Sequence, residues 1–318
     1  MKSETALAQD DDGGQGSPTH SHAVVHSDER TALPVTDDPR LASGLTFASL
    51  IGPAEGSVHM QVGHSELAGG GHVNGHLHPF EETFYILEGR VLLRVNGRDY
   101  ALAAGDFGVI PLGTAHAWRN PGDEPVRWLR VRVPQPRDLT DLAAVSILCE
   151  GFELPEVGIA PTMGLPHVPY LGHFDGEQMP PPGPVAIRGA NNYAVRNISV
   201  RLMVDDVAGA HHHIMFTGQM ESDPSAVSDV PPPHYHAFEE MYYFVGGTAR
   251  GILEGRHFDI RAGDVAFAGV NATHGFIPTS SDPLRWIEVM APRPPEQNSM
   301  MFVNQWGAVA RAAQEGRW

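Results

Sequence analysis

The most constraining feature of this 318-residue sequence is an internal repeat. Residues 76–134 align with residues 234–292 without a gap, at a constant offset of 158 positions (234 − 76). The first copy begins HLHPFEETFYILEG, and the second begins HYHAFEEMYYFVGG. Self-similarity at one fixed spacing indicates that a single folding unit occurs twice. A chain of this length can bury two separate cores.

Both copies show the local pattern of β structure. Short runs rich in Val, Ile, Leu and Phe alternate with Gly, Asn and Pro, which predicts strands such as 84–87, 91–95, 107–111 and 127–133. The dipeptides Asn96-Gly97 and Glu254-Gly255 are typical of hairpin turns. Because long helical periods are scarce, the sequence predicts an all-β protein of two tandem barrels or sandwiches.

Composition divides the chain into five segments. Residues 1–40 are rich in Asp, Gly, Ser and Pro; we predict a disordered N-terminal tail that can be removed without loss of the fold. The two barrels are assigned to residues 41–150 and 186–303. Between them, the proline-rich residues 151–185 are predicted to be a linker without regular structure. Residues 304–318 are predicted to form a short C-terminal helix.

Charge and cysteine content exclude several classes of protein. The net charge of −17 argues against nucleic acid or anionic membranes as partners. No apolar run is long enough for a transmembrane helix, and the first residues lack the apolar centre of a signal peptide. A single cysteine, Cys149, excludes an intramolecular disulfide. We predict a cytoplasmic protein with a small-molecule substrate, and the sequence is compatible with a homo-oligomer.

Histidines in each copy have the spacing of a metal site. The chain holds 18 His against 21 Lys plus Arg, an excess that points to metal ligands. Each copy has two histidines two positions apart, which face the same side of a strand. A glutamate follows four positions later, and a third histidine lies beyond a Gly-Asp turn. The predicted ligands are His76, His78, Glu82 and His116 in the first copy and His234, His236, Glu240 and His274 in the second.

Three neutral imidazoles and one carboxylate suit a divalent transition metal. We expect Fe²⁺ or Mn²⁺, with Ni, Cu, Co or Zn as alternatives, and up to two ions per chain. Four protein ligands leave two positions of an octahedron for substrate and dioxygen, or for water. Glu82 and Glu240 are also the predicted catalytic residues, because a carboxylate ligand can accept a proton from a substrate hydroxyl.

These residues resemble the two motifs of the cupin family, G-x5-H-x-H-x3-E-x6-G and G-x5-P-x-G-x2-H-x3-N. The first copy fills every position of both motifs. The second copy keeps all four ligand positions and departs from the motifs at Ser228, Gly269, Asn271 and Pro278, where turns are shaped. The chain is therefore similar to a bicupin. The resemblance implies two tandem cupin barrels (double-stranded β-helix, or jelly-roll) with the metal inside one end of each.

Resemblance to bicupin enzymes sets the functional expectation. Quercetinase-type dioxygenases use three histidines and a glutamate, and oxalate decarboxylases hold Mn with the same ligands. The oxalate enzymes carry an arginine three residues before the first ligand, where this chain has Val73 and Pro231. The resemblance therefore implies a metal-dependent enzyme, foremost a dioxygenase, that acts on a small organic substrate. The alternatives are a non-redox isomerase, cyclase or lyase, or a metal-dependent binding or regulatory protein.

Two further features lie near the second copy. His211, His212 and His213 precede its first motif by about one strand, and alternation places His211 and His213 on one face. These two histidines are predicted either to line the pocket and support the metal ligands or to be ordinary surface or core residues. The polar stretch 218–233 is predicted to be either a lid at the barrel mouth or a surface insertion.

Overall fold

The computed structural model describes residues 20–137, 141–152, 154, 170–174, 176, 179–180, 183–186, 194–221, 233–295 and 300–302. Within these, side chains are described except at 183–186, 194–197 and 300–302. The predicted helix at 304–318 and most of the stretch 218–233 lie outside the described residues. Helical structure in the described part is limited to short 3₁₀ turns at Ser27–Glu29, Pro53–Glu55 and Ala143–Val145. No helix among these residues is long and apolar enough to cross a membrane.

The described chain is almost entirely β structure, as predicted. The strands of the first half are His22–His26 (β1), Leu33–Pro34 (β2), Ala42–Ile51 (β3), Gln61–Leu77 (β4), Glu81–Glu88 (β5), Arg90–Val95 (β6), Arg98–Ala103 (β7), Asp106–Ile110 (β8), His116–Arg119 (β9), Val126–Val133 (β10), Ile147–Leu148 (β11) and Leu171–His173 (β12). Those of the second half are Gly183–Ala186 (β13), Ala194–Val204 (β14), Ile214–Met220 (β15), His234–His236 (β16), Glu239–Gly246 (β17), Thr248–Leu253 (β18), Arg256–Arg261 (β19), Asp264–Ala268 (β20), His274–Pro278 (β21), Leu284–Ala291 (β22) and Met300–Phe302 (β23).

The N-terminal barrel is one 11-stranded sheet in which β12-β8-β5-β10-β4-β9-β6-β7 form the main path. It curves back on itself because β4 takes part in both faces: residues 61–67 pair with β10, and residues 72–76 pair with β9. Between these two parts, Gly70 has φ of +71°, and a Cβ on Gly69 would lie 2.1 Å from the carbonyl oxygen of Asp123. Both positions therefore require glycine where the strand bends.

The C-terminal barrel repeats this arrangement with two sheets. Seven strands follow the order β1-β20-β17-β22-β15-β14-β13, and five follow the order β19-β18-β21-β16-β23. The two hairpin turns predicted from sequence are confirmed. Asn96 (φ +51°) and Gly97 (φ +70°) join β6 to β7, and Glu254 (φ +48°) and Gly255 (φ +77°) join β18 to β19. Positive φ at both central residues is the geometry that a two-residue hairpin requires.

The two barrels pack against each other through a shared apolar core. Alternate side chains of β10 and β22 point to opposite faces of the strand, one towards this core and the other towards the barrel interior. The residues that face the shared core are Leu129, Val131, Val133, Ile287, Val289 and Ala291. Trp128 and Trp286 instead belong to the interior clusters of their own barrels. The side chains at positions 130, 132, 288 and 290, which alternate with the core residues, therefore face the barrel interiors.

Each barrel is completed by a strand from outside the predicted barrel boundaries. β1 pairs with β20 of the C-terminal barrel, and β12 pairs with β8 of the N-terminal barrel. The ends of the two added strands are fixed in the same way. His26 Nδ1 lies 2.9 Å from Asp264 Oδ1, and His173 Nδ1 lies 2.8 Å from Asp106 Oδ1. The two aspartates are 158 positions apart, so the repeat extends to this contact.

These added strands correct two predictions. The tail predicted over 1–40 is wrong for residues 20–40, because these include β1 and β2, and Val25 is buried in the shared core. The unstructured linker predicted over 151–185 is wrong where β12 and the start of β13 form. Composition misled in both cases, since a short strand takes its stability from the sheet edge it joins rather than from its own sequence. Residues 1–19 lie outside the described part.

Candidate metal centres

All four predicted ligands of the second copy converge inside the C-terminal barrel. The ligand atoms of His234, His236, Glu240 and His274 all lie within 4.8 Å of one another. His236 Nε2 and His274 Nε2 lie 2.7 Å and 2.8 Å from the same oxygen, Glu240 Oε2. His234 and His274 are direct partners across β16 and β21. The strand pairing therefore brings the first and third histidines together although they are 40 positions apart (274 − 234).

Five of the six ligand rings are oriented by backbone carbonyls. His236 Nδ1 contacts the carbonyl oxygen of Phe238 at 2.8 Å, and His274 Nδ1 contacts that of Ala272 at 2.9 Å. His78 and His116 make the corresponding contacts with the carbonyls of Phe80 and Thr114, and His76 with that of Asn74. A ring that donates its Nδ1–H to a carbonyl presents the lone pair of Nε2 to a metal.

Stacking adds a second restraint in both barrels. The ring of His78 stacks on Phe80, and that of His236 stacks on Phe238, each at a centroid distance of 3.8 Å. The two phenylalanines occupy equivalent positions of the repeat. A stacked ring holds the plane of the imidazole, so these side chains fix ligand orientation as well as filling the core.

The N-terminal barrel brings together three of its four predicted ligands. His76, His78 and His116 have ligand atoms within 4.8 Å of one another, and Glu82 is not part of this group. The Glu82 carboxylate is turned to Arg130, whose Nη2 donates a short hydrogen bond to Oε2. The same oxygen lies 3.4 Å from His78 Nε2. Arg130 therefore competes with the histidine cluster for this carboxylate.

The unmatched polar atoms in the N-terminal barrel fit a metal ion. The Nε2 atoms of His76, His78 and His116 are buried and have no hydrogen-bond partner in the part of the chain that the structure describes. Buried polar atoms are almost always paired, and a cluster of unpaired imidazole nitrogens is the arrangement that a cation would satisfy. The donor set of each barrel can therefore hold a divalent metal.

Burial and neighbouring charge set the protonation of these groups. Burial, with His78 adding to it, lowers the pKa of His76 to about 4. Burial also lowers the pKa of His116 well below its usual range. Burial by itself would raise the pKa of the Glu82 carboxyl, but the Arg130 guanidinium and the histidines outweigh it and hold that pKa well below its usual range. His76 and His116 are thus neutral and the Glu82 carboxylate is ionised, which are the forms that bind metal.

The two centres differ most on the last strand of each barrel. Arg130 in β10 and Glu288 in β22 occupy equivalent positions, as do Arg132 and Met290. All four side chains face the barrel interiors, and the two arginines are 2% and 3% exposed. The N-terminal centre thus has two guanidinium groups beside it, where the C-terminal centre has a carboxyl group and a thioether.

A tyrosine and a second acid stand beside the C-terminal ligands. Tyr242, which replaces Phe84 of the first copy, donates a hydrogen bond of 2.5 Å to Glu240 Oε2 and lies 3.1 Å from His274 Nε2. Glu288 accepts a hydrogen bond of 2.8 Å from Trp286 Nε1. Burial, then the charge of Glu240, raises the pKa of both Tyr242 and Glu288 well above the usual range. Two weak acids therefore border the ligand set.

The structure places His211 and His213 between the barrels rather than among the ligands of the second copy. His213 is fully buried; its Nδ1 lies 3.0 Å from Glu81 Oε2 and its Nε2 lies 2.7 Å from Thr83 Oγ1. His211 is exposed, and its backbone N–H donates to Glu81 Oε1 at 2.7 Å. Both residues contact the strand that carries Glu82, on the face opposite to it.

Four functional candidates were missed from sequence: Arg130, Arg132, Tyr242 and Glu288. A signal was present, because Arg130 and Arg132 alternate with the apolar residues Leu129, Val131 and Val133. Extending the repeat alignment to the unlike pairs of residues would have drawn attention to these positions.

A family model described as "Cupin domain" matches residues 63–132 and 224–290. Each region contains the ligand histidines and glutamate of one copy. With two such regions and two metal-binding barrels, the chain belongs to the cupin superfamily and is a bicupin.

Three similar proteins illustrate the relationship. The chain is 35% identical over 85 residues to the Tetracenomycin polyketide synthase protein TcmJ of Streptomyces glaucescens, a match that covers 26% of this chain and 57% of that relative. It superposes on the Lactobacillus farciminis oxalate decarboxylase formate complex with a TM-score of 0.61 at 16% identity, covering 93% of this chain and 92% of that one. A Bacillus subtilis oxalate decarboxylase structure, concerned with its Mn(II) centres, gives a TM-score of 0.58 at 16% identity over 94% and 85% of the two chains. The structural matches establish the shared two-barrel fold.

Proposed function

We propose that this bicupin is a metal-dependent enzyme, foremost an oxygenase, that acts on a small organic substrate inside a barrel. The observation that carries the proposal is the convergence of His234, His236, Glu240 and His274 within 4.8 Å of one another in a buried interior. Four protein ligands of this type leave coordination positions for exogenous oxygen ligands.

Mn²⁺ or Fe²⁺ is the metal that we expect. The donor set of three imidazoles and a carboxylate suits either ion, and a solved structural neighbour is described with Mn(II) centres. When bound, such an ion supplies Lewis-acid polarisation of substrate oxygen and, for a redox-active ion, electron transfer. The chain itself orients the imidazoles through the carbonyls described above and keeps Glu240 ionised through His236 and His274, although burial opposes this.

Metal analysis and oxygen uptake test the proposal together. The chain, purified without a histidine tag and loaded separately with Fe²⁺ and Mn²⁺, should hold about two ions at saturation and consume dioxygen with a substrate from a screen of phenols, enediols and keto acids. His234→Ala should lose metal and activity together at the C-terminal centre, and His76→Ala should do so at the N-terminal centre. Turnover at an unchanged oxygen concentration would contradict an oxygenase.

A second candidate is a non-redox lyase or cyclase. The hydroxyl of Tyr242 and the carboxyl of Glu288 support it, because both are weak acids buried beside the C-terminal ligands and can hold a proton near a substrate. A relative named as a polyketide synthase protein and fold neighbours named as oxalate decarboxylases are in line with such chemistry. In this case the loaded protein should convert substrate at the same rate under air and under nitrogen, and a redox-inert ion such as Zn²⁺ should support turnover.

A further inference from the structure

The interior of the N-terminal barrel contains more positive than negative side-chain charge. Arg130 and Arg132 project inward from β10, and both are at least 97% buried. Glu82, the direct partner of Arg132 across β5 and β10, is hydrogen-bonded to Arg130. One carboxylate therefore lies beside two guanidinium groups and pairs with only one of them, that of Arg130.

Arg132 has no hydrogen-bond or ion-pair partner among the residues that the structure describes, and its Nε is fully buried without one. Its guanidinium lies over the ring of Phe47, 4.7 Å from the centroid. Nε and Nη1 of Arg130 are also buried and have no partner among these described residues. A buried guanidinium left unpaired is strongly destabilising, so an arrangement with this many free N–H donors implies an anion that binds to them.

The surroundings of Arg132 are also those of a polar subsite. Its cross-strand neighbour on β4 is Gln61, which is buried and whose Oε1 has no hydrogen-bond partner within the described ranges. The neighbour of Arg130 on the same strand is Gly63, and the ring of Phe47 occupies the space beside it, since a Cβ on Gly63 would lie 2.4 Å from Phe47 Cζ. The interior therefore presents polar groups that lack partners among the described residues on two adjacent strands, β10 and β4.

The C-terminal barrel replaces every part of this arrangement. Met290 stands in place of Arg132, and its cross-strand neighbour is Ile214. Glu288 stands in place of Arg130, and its cross-strand neighbour is Phe216. The equivalent region thus has a thioether and a carboxyl group in place of the two guanidinium groups, and an isoleucine in place of Gln61. The guanidinium pair is a property of one barrel and not of the repeat.

We propose that Arg130 and Arg132 form an anion-binding subsite beside the histidine cluster of the N-terminal barrel, and that it takes the carboxylate of a small organic acid. Guanidinium groups match the planar, two-oxygen geometry of a carboxylate. Their position on the same inward face as Glu82 would place the rest of the acid towards His76, His78 and His116. The inference deepens the proposed function, because it names the substrate class of one centre, and it rests on that function only for turnover.

Binding of acetate, formate and oxalate to the Mn²⁺-loaded protein tests this subsite without an activity assay. Calorimetry should give one carboxylate site per chain, and each acid should raise the melting temperature in a concentration-dependent way. The Mn²⁺ electron paramagnetic resonance spectrum should change at the same concentrations. Chloride at equal ionic strength should reproduce none of these effects.

Substitution of each arginine tests its contribution to carboxylate binding. Arg132→Met, which installs the residue found at the equivalent position of the other barrel, should weaken carboxylate binding about 10- to 100-fold, as expected for loss of hydrogen bonds to a charged group. Arg130→Met should weaken it similarly, and Arg132→Lys should weaken it less because the charge remains. Arg127→Met is the matched control, since Arg127 lies on the same strand, is partly exposed and pairs with Glu88 at 2.5 Å.

The outcomes separate this inference from the proposed function. Carboxylate binding that is lost in Arg132→Met, in a variant that still melts cooperatively and keeps its metal, supports the subsite whether or not turnover is ever found. Equal affinity in the wild type, Arg130→Met and Arg132→Met would overturn it, even if the protein proves to be an oxygenase. An absence of binding in the wild type at tens of millimolar acid would overturn it as well.

Discussion

The carboxylate of Glu239 accepts a hydrogen bond of 2.6 Å from the hydroxyl of Ser57, although the two residues belong to different barrels. The backbone N–H groups of Val58 and His59 donate to the same carboxylate, at 2.7 Å and 3.2 Å. Glu239 precedes Glu240 on β17, and the two side chains point to opposite faces of the strand. One strand therefore joins a ligand inside the C-terminal barrel to a loop of the N-terminal barrel.

The reverse contact is made by Glu81, which is equivalent to Glu239 in the repeat. Its carboxylate accepts hydrogen bonds from the backbone N–H groups of His211 and His212, at 2.7 Å and 3.1 Å, and contacts the ring of His213. Glu81 precedes Glu82 on β5. In each barrel, the strand that carries the ligand glutamate is therefore held by hydrogen bonds from the opposite barrel. This pair of contacts gives the buried carboxylates a role in joining the barrels.

We expect Glu239→Ala to destabilise the protein on the order of 3 kcal/mol, because it leaves the Ser57 hydroxyl and two backbone N–H groups without their acceptor. Urea denaturation, read out by tryptophan fluorescence, measures the change. Glu66→Ala, at an exposed position of β4, is the control and should change stability by less than about 0.5 kcal/mol. Equal effects of the two substitutions would mean that the buried contact contributes nothing measurable.

The two ligand glutamates should differ in their effect on metal binding. One carboxylate oxygen of Glu240 lies close to the Nε2 atoms of both His236 and His274, so this carboxylate belongs to the ligand cluster. Glu240→Gln should therefore weaken metal binding roughly 10- to 100-fold. Glu82 is held by Arg130, so Glu82→Gln should weaken it less.

Chelator competition measures each centre by itself when the other is disabled. Glu240→Gln is compared in a His76→Ala background and Glu82→Gln in a His234→Ala background. Equal losses at the two centres would show that Glu82 leaves Arg130 and joins the histidines when metal binds.

Sequence reasoning predicted the parts of the molecule that depend on local pattern. Two histidines two positions apart must share a strand face, so the convergence of His234, His236 and His274 followed from spacing and the repeat. The all-β class was predicted from the strand and turn patterns and the family from the resemblance to the cupin motifs, and both are confirmed.

What could not be predicted depends on pairing between distant segments. Nothing in residues 22–26 indicates that they join a strand 238 positions away (264 − 26). The position of His213 against Glu81 also arises only when the barrels dock. The pairing of Glu82 with Arg130 follows from cross-strand register, which the repeat alone does not specify.

Tyr242→Phe tests the acids beside the C-terminal ligands. The substitution installs the residue found at the equivalent position of the first copy, Phe84, so the fold should tolerate it. Metal content should stay unchanged, and turnover at this centre should fall about 10²-fold if the hydroxyl transfers a proton. Parallel measurements of metal content and rate distinguish this from metal loss. An unchanged rate would mean that Tyr242 only orients Glu240 through its hydrogen bond and transfers no proton.

The N-terminal strand should be required for stability. We expect removal of residues 1–19 to leave the melting temperature within a few degrees of the full chain, because their composition predicts little packing. Removal of residues 1–30 also deletes β1, exposes the edge of β20 and takes Val25 from the shared core. That chain should melt at least several degrees lower and aggregate more readily. Identical melting of the two truncated chains would contradict a structural role for β1.

His64 should make stability depend on pH. It is 8% exposed in the contact between the barrels, with its ring 5.3 Å from that of Tyr243 in an edge-to-face arrangement. Burial, with a smaller effect of Arg127, lowers the pKa of His64 from 6.5 to about 4. The unfolded chain therefore takes up a proton at this residue at a pH where the folded chain does not.

The sign of the effect follows from this difference in proton uptake. Above pH 6.5 His64 is neutral in both states and contributes no pH dependence. As the pH falls from 6.5 towards 4, the unfolded state is favoured progressively, by up to about 3 kcal/mol. His64→Leu should remove this loss, so the stability difference between variant and wild type should shift in favour of the variant across that interval. Urea denaturation at pH 7.5, 6, 5 and 4 measures it, with His257→Leu on exposed β19 as the control for loss of a histidine. A constant difference between His64→Leu and wild type at all four values would show that His64 titrates alike in the folded and unfolded chains.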